Sequence, residues 1–111
     1  MSVFVPTPQQ LDTITQINSE VNNDPRWIGQ ENFCVPAMAE KMERLQAAGI
    51  PLSAMTPVTV DAGPRFGDEA HSLLQISGLT AEGAPWATFL DINEPGLLTR
   101  DDLTALGYTI V

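Results

Sequence analysis

The chain has 111 residues, 43% of them hydrophobic and 17% charged, which fits one compact domain spanning residues 1–111 and leaves no room for a second. Its one cysteine, Cys34, excludes an internal disulfide, and with a single histidine, His71, it cannot complete the N and S ligand set of a structural zinc site. Fourteen acidic against five basic residues give a formal charge of −9, and because Arg26, Lys41, Arg44, Arg65 and Arg100 are scattered, no basic face exists for phosphates; nucleic acid is not an expected partner.

The opening MSVFVPTPQQLD lacks the basic and then apolar regions of an export signal, and no apolar run approaches the ~18 residues of a membrane span. The expectation is a chain that does not insert into a membrane and is cytoplasmic or phage-associated, unless exported by another route.

Thr7-Pro8-Gln9-Gln10 reads as a helix start, with Thr7 as N-cap, Pro8 in the first helical position and Gln10 completing a capping box. The helix then follows Leu11, Ile14, Ile17 and Val21 until Asn22-Asn23-Asp24-Pro25 stops it. Arg26 to Phe33 has no clean period and reads as a loop. A second helix spans roughly residues 34 to 48, with Met38, Met42, Leu45 and Ala48 on one face, and ends at Gly49-Ile50-Pro51. Met38 and Met42 are core at that spacing.

From Thr56 the period changes to two. Residues 56–61, 70–76 and 85–92 are rich in branched and aromatic side chains and bounded by Gly and Pro, as strands are. A polar loop, 62–69, joins the first two, and residues 78–84 make a hairpin connection between the second and third. A short third helix follows Thr99 with Asp102 as its box partner, and Gly107 stops it before a last strand at 108–111. The pattern predicts an α+β fold: two helices, then an antiparallel sheet with one late helix. The second helix is expected to pack on that sheet through Met42 and Leu45.

Cys34, His71 and Asp91 are the candidate site. Cys34 opens the second helix, where unpaired N–H groups and the helix dipole favour a thiolate. His71 opens one strand and Asp91 closes the next; a register with Ile76 opposite Trp86 would set His71 directly across from Asp91, so that the carboxylate orients the imidazole that deprotonates the thiol. Plainer readings stand beside these: Cys34 as a buried small hydrophobe, His71 as a half-exposed strand residue, Asp91 as a turn cap with Asn93. The backbone N–H of Cys34 is one oxyanion donor. For a second, Gln30 ranks ahead of Asn32 and Trp27. Trp86 either shields the site or is core, and core is the commoner fate at strand spacing. The pairs Asp68-Glu69 and Asp101-Asp102 lack further oxygen ligands and read as a solvated turn or a helix N-terminus rather than a cation site.

The stretch Cys34-Val35-Pro36-Ala37-Met38-Ala39-Glu40-Lys41, continued by Arg44-Leu45-Gln46-Ala47-Ala48-Gly49-Ile50-Pro51, resembles the nucleophile helix of the bacterial transglutaminase-like cysteine peptidases. There a Cys opens a helix that carries a Lys seven residues on and ends in Ala-Gly. Ala70-His71-Ser72-Leu73-Leu74 and Leu90-Asp91-Ile92 are similar to that family's His and Asp strands, in the same order, and the resemblance covers roughly residues 27 to 93. It implies a papain-like core, with Cys34 as nucleophile, His71 as general base and acid, and Asp91 fixing the His tautomer. Acidic residues commonly flank the Cys in that family, and in its periplasmic adhesin-cleaving branch they go with calcium. Here Phe33, Val35 and Pro36 stand there, so no calcium is expected, and neither a cofactor nor another metal is called for.

Two functions follow. The first is a thiol-dependent peptidase or amidase acting through a Cys-His-Asp triad and a thioester, on an exposed peptide or protein substrate such as a cell-wall stem peptide or a flexible segment. The second is a catalytically silent domain of the same fold that serves as a binding or assembly module. Reactivity of the Cys34 thiol at neutral pH separates them.

Overall fold

The computed structural model describes residues 3–29, 33–63 and 70–111. Helix α1 (Pro8–Asn22) begins on the expected capping box, in which the Thr7 hydroxyl accepts from the Gln10 N–H and the Gln10 side chain accepts from the Thr7 N–H. A 3₁₀ turn over Pro25–Trp27 leads towards helix α2 (Cys34–Ala47). That helix stops at Gly49, whose φ of 95 is left-handed and open to glycine without strain. There the N–H of Gly49 reaches Gln46 and that of Ile50 reaches Leu45, closing the last turn.

Strands β1 (Met55–Asp61), β2 (Ala70–Leu79), β3 (Pro85–Asp91), β4 (Glu94–Leu98) and β5 (Thr109–Ile110) form one antiparallel sheet in the order β4-β3-β2-β1-β5. Helix α3 (Arg100–Ala105) carries the chain from β4 to β5 and starts on the predicted Thr99–Asp102 box. The fold is therefore mixed helix and antiparallel sheet, as the change of period requires.

The sheet has a core on each face. Ile14, Ile17 and Val21 of α1 and Ala37 and Leu45 of α2 pack with Leu74, Ile76 and Leu90. Val60, Leu73 and Phe89 form a smaller cluster with Leu103 of α3 and Tyr108. Each fully buried Leu or Ile contributes about 1.5–3 kcal/mol, so the α1/α2 layer is the main source of stability. Leu45 is fully buried there and Met42 packs on the same cluster, as expected, but the predicted face is rotated. Ala48 is exposed, and the buried seam of α2 runs Ala37, Lys41, Leu45, with Lys41 only 1% accessible.

Three sequence readings needed correction. Strand β2 runs on through Ser77, Gly78 and Leu79, so the connection shortens to residues 80–84 and Ile76 pairs with Thr88 while Trp86 pairs with Gly78. The register is thus shifted by two residues. Gly78 is no turn residue: a Cβ there would collide with the Phe4 carbonyl, which accepts the Leu79 N–H at 2.9 Å. Strand β4 was missed because Pro95 and Gly96 argue against a strand; it lies at the sheet edge, where proline is tolerated. The last strand is shorter than expected, only Thr109 and Ile110. The polar loop at 62–69 falls largely outside the described residues, as do Asp68 and Glu69.

Gly78→Ala should therefore displace the N-terminal segment from β2 and from Trp86, on which Phe4 packs edge-on at 6.5 Å. We expect a loss of about 1–3 kcal/mol, the usual cost of overpacking, read as a lower urea midpoint with an unchanged m-value.

Candidate active site

β3 ends at Asp91, and the last β2–β3 pair is Leu74 with Leu90, so β2 outruns its neighbour from Ala70 to Leu73. His71 is therefore not directly across from Asp91. A shift of two residues keeps both side chains on one side of the sheet, since side chains alternate with a period of two. The two still meet: His71 Nε2 lies 2.7 Å from Asp91 Oδ1.

Asp91 is fully buried and held from several directions. Besides His71, Oδ1 accepts the Asn93 N–H at 3.0 Å and Oδ2 accepts the Tyr108 hydroxyl at 2.8 Å. The carboxylate thus holds the imidazole and also closes the two-residue turn into β4, so the turn-cap contact with Asn93 and the contact with His71 are both present. Burial pushes its pKa up, but His71, the Asn93 N–H and the Tyr108 hydroxyl together hold it below the ordinary carboxylate value. Its backbone carbonyl is fixed too, by the Asn22 side-chain amide at 2.9 Å from the end of α1.

Cys34 sits at the first position of α2, half-buried, with no side-chain cap on that helix. Burial pushes the thiol up, and this is outweighed by the Ser72 backbone N–H, the His71 imidazole and the Val35 N–H, which leave it below its ordinary value. The Ser72 N–H belongs to the stretch of β2 that has outrun β3. For His71, burial lowers the pKa, and Asp91 with Cys34 overcomes this and raises it. Thiol down and imidazole up is the electrostatic condition for a thiolate–imidazolium pair.

The other predicted site residues fare differently. Gln30 and Asn32 lie outside the described residues. Trp27 is not an oxyanion donor: its indole N–H donates to the Val21 carbonyl at 2.7 Å, and its ring stacks on Phe33 with centroids 5.7 Å apart. Trp86 packs on Phe4, not at the site. Asp102 is spent on the α3 capping box. Among the described residues no group of three His, Cys, Asp or Glu side chains is arranged to hold a metal ion, and no helix is long and apolar enough to cross a membrane.

Sequence reasoning missed Tyr108 and the tie from Asn22 to the Asp91 carbonyl. Tyr108 stands 17 residues from Asp91 with no local pattern linking them, and only the α3 crossover brings it beside His71, ring to ring at 5.7 Å. Asn18, a buried amide one place from Ile17, turns instead to β4, its Nδ2 donating to the Gly96 carbonyl at 3.3 Å. Tyr108→Phe should leave Asp91 Oδ2 buried without its hydroxyl donor and lower stability by about 1–3 kcal/mol, measured by urea unfolding.

No protein-family model matches the chain, and neither a curated protein nor a solved structure matches it.

Proposed function

We propose that this protein is a thiol hydrolase, a peptidase or amidase of the transglutaminase-like type with a papain-like core. One observation carries the reading: the chain's single His is held at 2.7 Å by a fully buried carboxylate, and the same imidazole lowers the pKa of the chain's single Cys. A helix that presents its first residue to an antiparallel sheet bearing the base and its orienting acid is the arrangement such a core requires.

The chemistry follows. The Cys34 thiolate attacks the amide carbonyl carbon, and the negative charge on the tetrahedral oxygen is met by backbone donors at the α2 N-terminus, among them the Cys34 N–H. The His71 imidazolium gives its proton to the leaving nitrogen as the C–N bond breaks, leaving a thioester and neutral His71. His71 then takes a proton from water, hydroxide adds to the thioester carbonyl, and the acid is released with the thiolate restored. Asp91 keeps its proton count throughout and fixes the ring so that Nδ1 faces the sulfur.

The half-buried position of Cys34 suits an exposed peptide, such as a cell-wall stem peptide or a flexible protein segment, better than an enclosed small ligand. The test is a mass-spectrometric screen of peptide and peptidoglycan-derived substrates with wild type and Cys34→Ala. Cleavage lost in the variant supports the reading. A wild-type thiol no more reactive than an unperturbed one overturns it and leaves a binding module.

A further inference from the structure

Lys41 heads the fully buried side chains by size, at 1% accessibility, and it is the only lysine in the sequence. None of the ion pairs among the described residues involves it. A buried lysine outside any ion pair is expensive, and such residues persist where a nearby charge compensates them or a function needs them.

Its position says which. Seven residues are two helical turns less about 20°, so Lys41 lies on the same face of α2 as Cys34, about 10 Å further along the axis. Helix side chains lean towards the N-terminus, and that lean carries the ammonium back towards the Cys34 end. The charge that acts on it is the Asp91 carboxylate. Of the elements packed on α2, β2 contributes His71 to this interior and the β3 strand beyond it contributes Asp91. α1 contributes no buried charge, only the amides of Asn18 and Asn22, while its Asp12 and Glu20 are exposed. On α2 itself Cys34 belongs to the cluster, and Glu40 is turned to Arg26 and Arg44. With a thiolate, an imidazolium and a carboxylate in this interior, one further cation brings the sum to zero.

We propose that Lys41 is a positioning residue for the Cys34–His71–Asp91 centre, a buried countercharge to Asp91 that sets the pH at which the thiolate–imidazolium pair forms. This rests on the reading of the site given above. A cation there favours the thiolate and disfavours the imidazolium, so it moves both limbs of the pH profile towards acid. Burial pushes the Lys41 amine down to about 8, against the pull of Asp91, and above that pH the countercharge fades.

The experiment is the rate of Cys34 alkylation by iodoacetamide as a function of pH in wild type, Lys41→Met and Lys41→Arg, each checked for folding by circular dichroism. The Met variant keeps length and burial without charge, and its midpoint should move up by about one pH unit, with Arg restoring the wild-type profile. A fast Cys34 whose profile is the same in folded Lys41→Met overturns the role of Lys41 alone. A wild-type Cys34 as slow as an unperturbed thiol overturns the site reading instead. Should the Met variant not fold, [13Cε]lysine reports one residue only, and its NMR titration midpoint should fall by about one unit in Asp91→Asn. An unmoved lysine titration overturns the proposal.

Discussion

Native Cys34 will be alkylated by iodoacetamide near pH 6 about tenfold faster than an unperturbed small thiol, because the ionised fraction gained at a lowered pKa outweighs the accompanying loss of nucleophilicity. The direction comes from three groups that face the sulfur, the Ser72 N–H, His71 and the Val35 N–H, which together outweigh the opposing effect of burial. His71→Ala removes both a hydrogen bond and a positive charge, so the rate in that variant should fall most of the way to that of the unperturbed thiol. Asp91 and Cys34 raise the His71 pKa above its ordinary value, so the imidazole keeps its proton beside the thiolate to a higher pH than a free imidazole would, and the fast phase should extend correspondingly before His71 loses its proton. A native rate equal to that of the protein in denaturant would place Cys34 among ordinary half-buried cysteines.

Asp91→Asn has the second large effect, and the structure changes what is expected of it. From sequence, the substitution should leave the melting temperature nearly unaltered, as for an exposed turn cap. Full burial and the three donors on the carboxylate reverse that expectation. An asparagine can keep its oxygen towards His71 and Asn93 while its amide meets the Tyr108 hydroxyl, which can accept, so part of the geometry survives. The charge does not. His71 loses the partner that raises its pKa, and Lys41 loses the carboxylate that opposes its desolvation. We expect about 2 kcal/mol of lost stability, ~8 °C or more in Tm for a domain of this size. Turnover of any peptide substrate should fall by at least about tenfold, each factor of ten being ~1.4 kcal/mol of barrier; in the serine-protease triad the equivalent change costs about 10⁴ in kcat. Wild-type turnover in a folded Asp91→Asn protein would remove Asp91 from the mechanism and leave it a structural carboxylate.

Local chemistry determined the three helices and the first three strands from sequence alone. The two capping boxes at Thr7 and Thr99 and the Gly49 stop each involve residues within a few positions of one another, so their geometry is settled before any tertiary contact forms. The change of period at Thr56 likewise settles helix against strand. The same local logic placed Cys34 at a helix start and put His71 and Asp91 on consecutive strands. The tertiary structure decided everything that depends on distant chain. Phe4 claims the space above Gly78, turns an apparent turn glycine into a strand residue and moves the β2–β3 register by two. An even shift preserves the face, which is why His71 and Asp91 still meet although the predicted pairing was wrong. The edge position that tolerates Pro95 exists only once the sheet is assembled, and so does the approach of Tyr108 to Asp91. Lys41 shows the limit most plainly: periodicity puts a charged residue on the outside of a helix, and only an assembled interior holding a buried carboxylate makes the inside the better place for it.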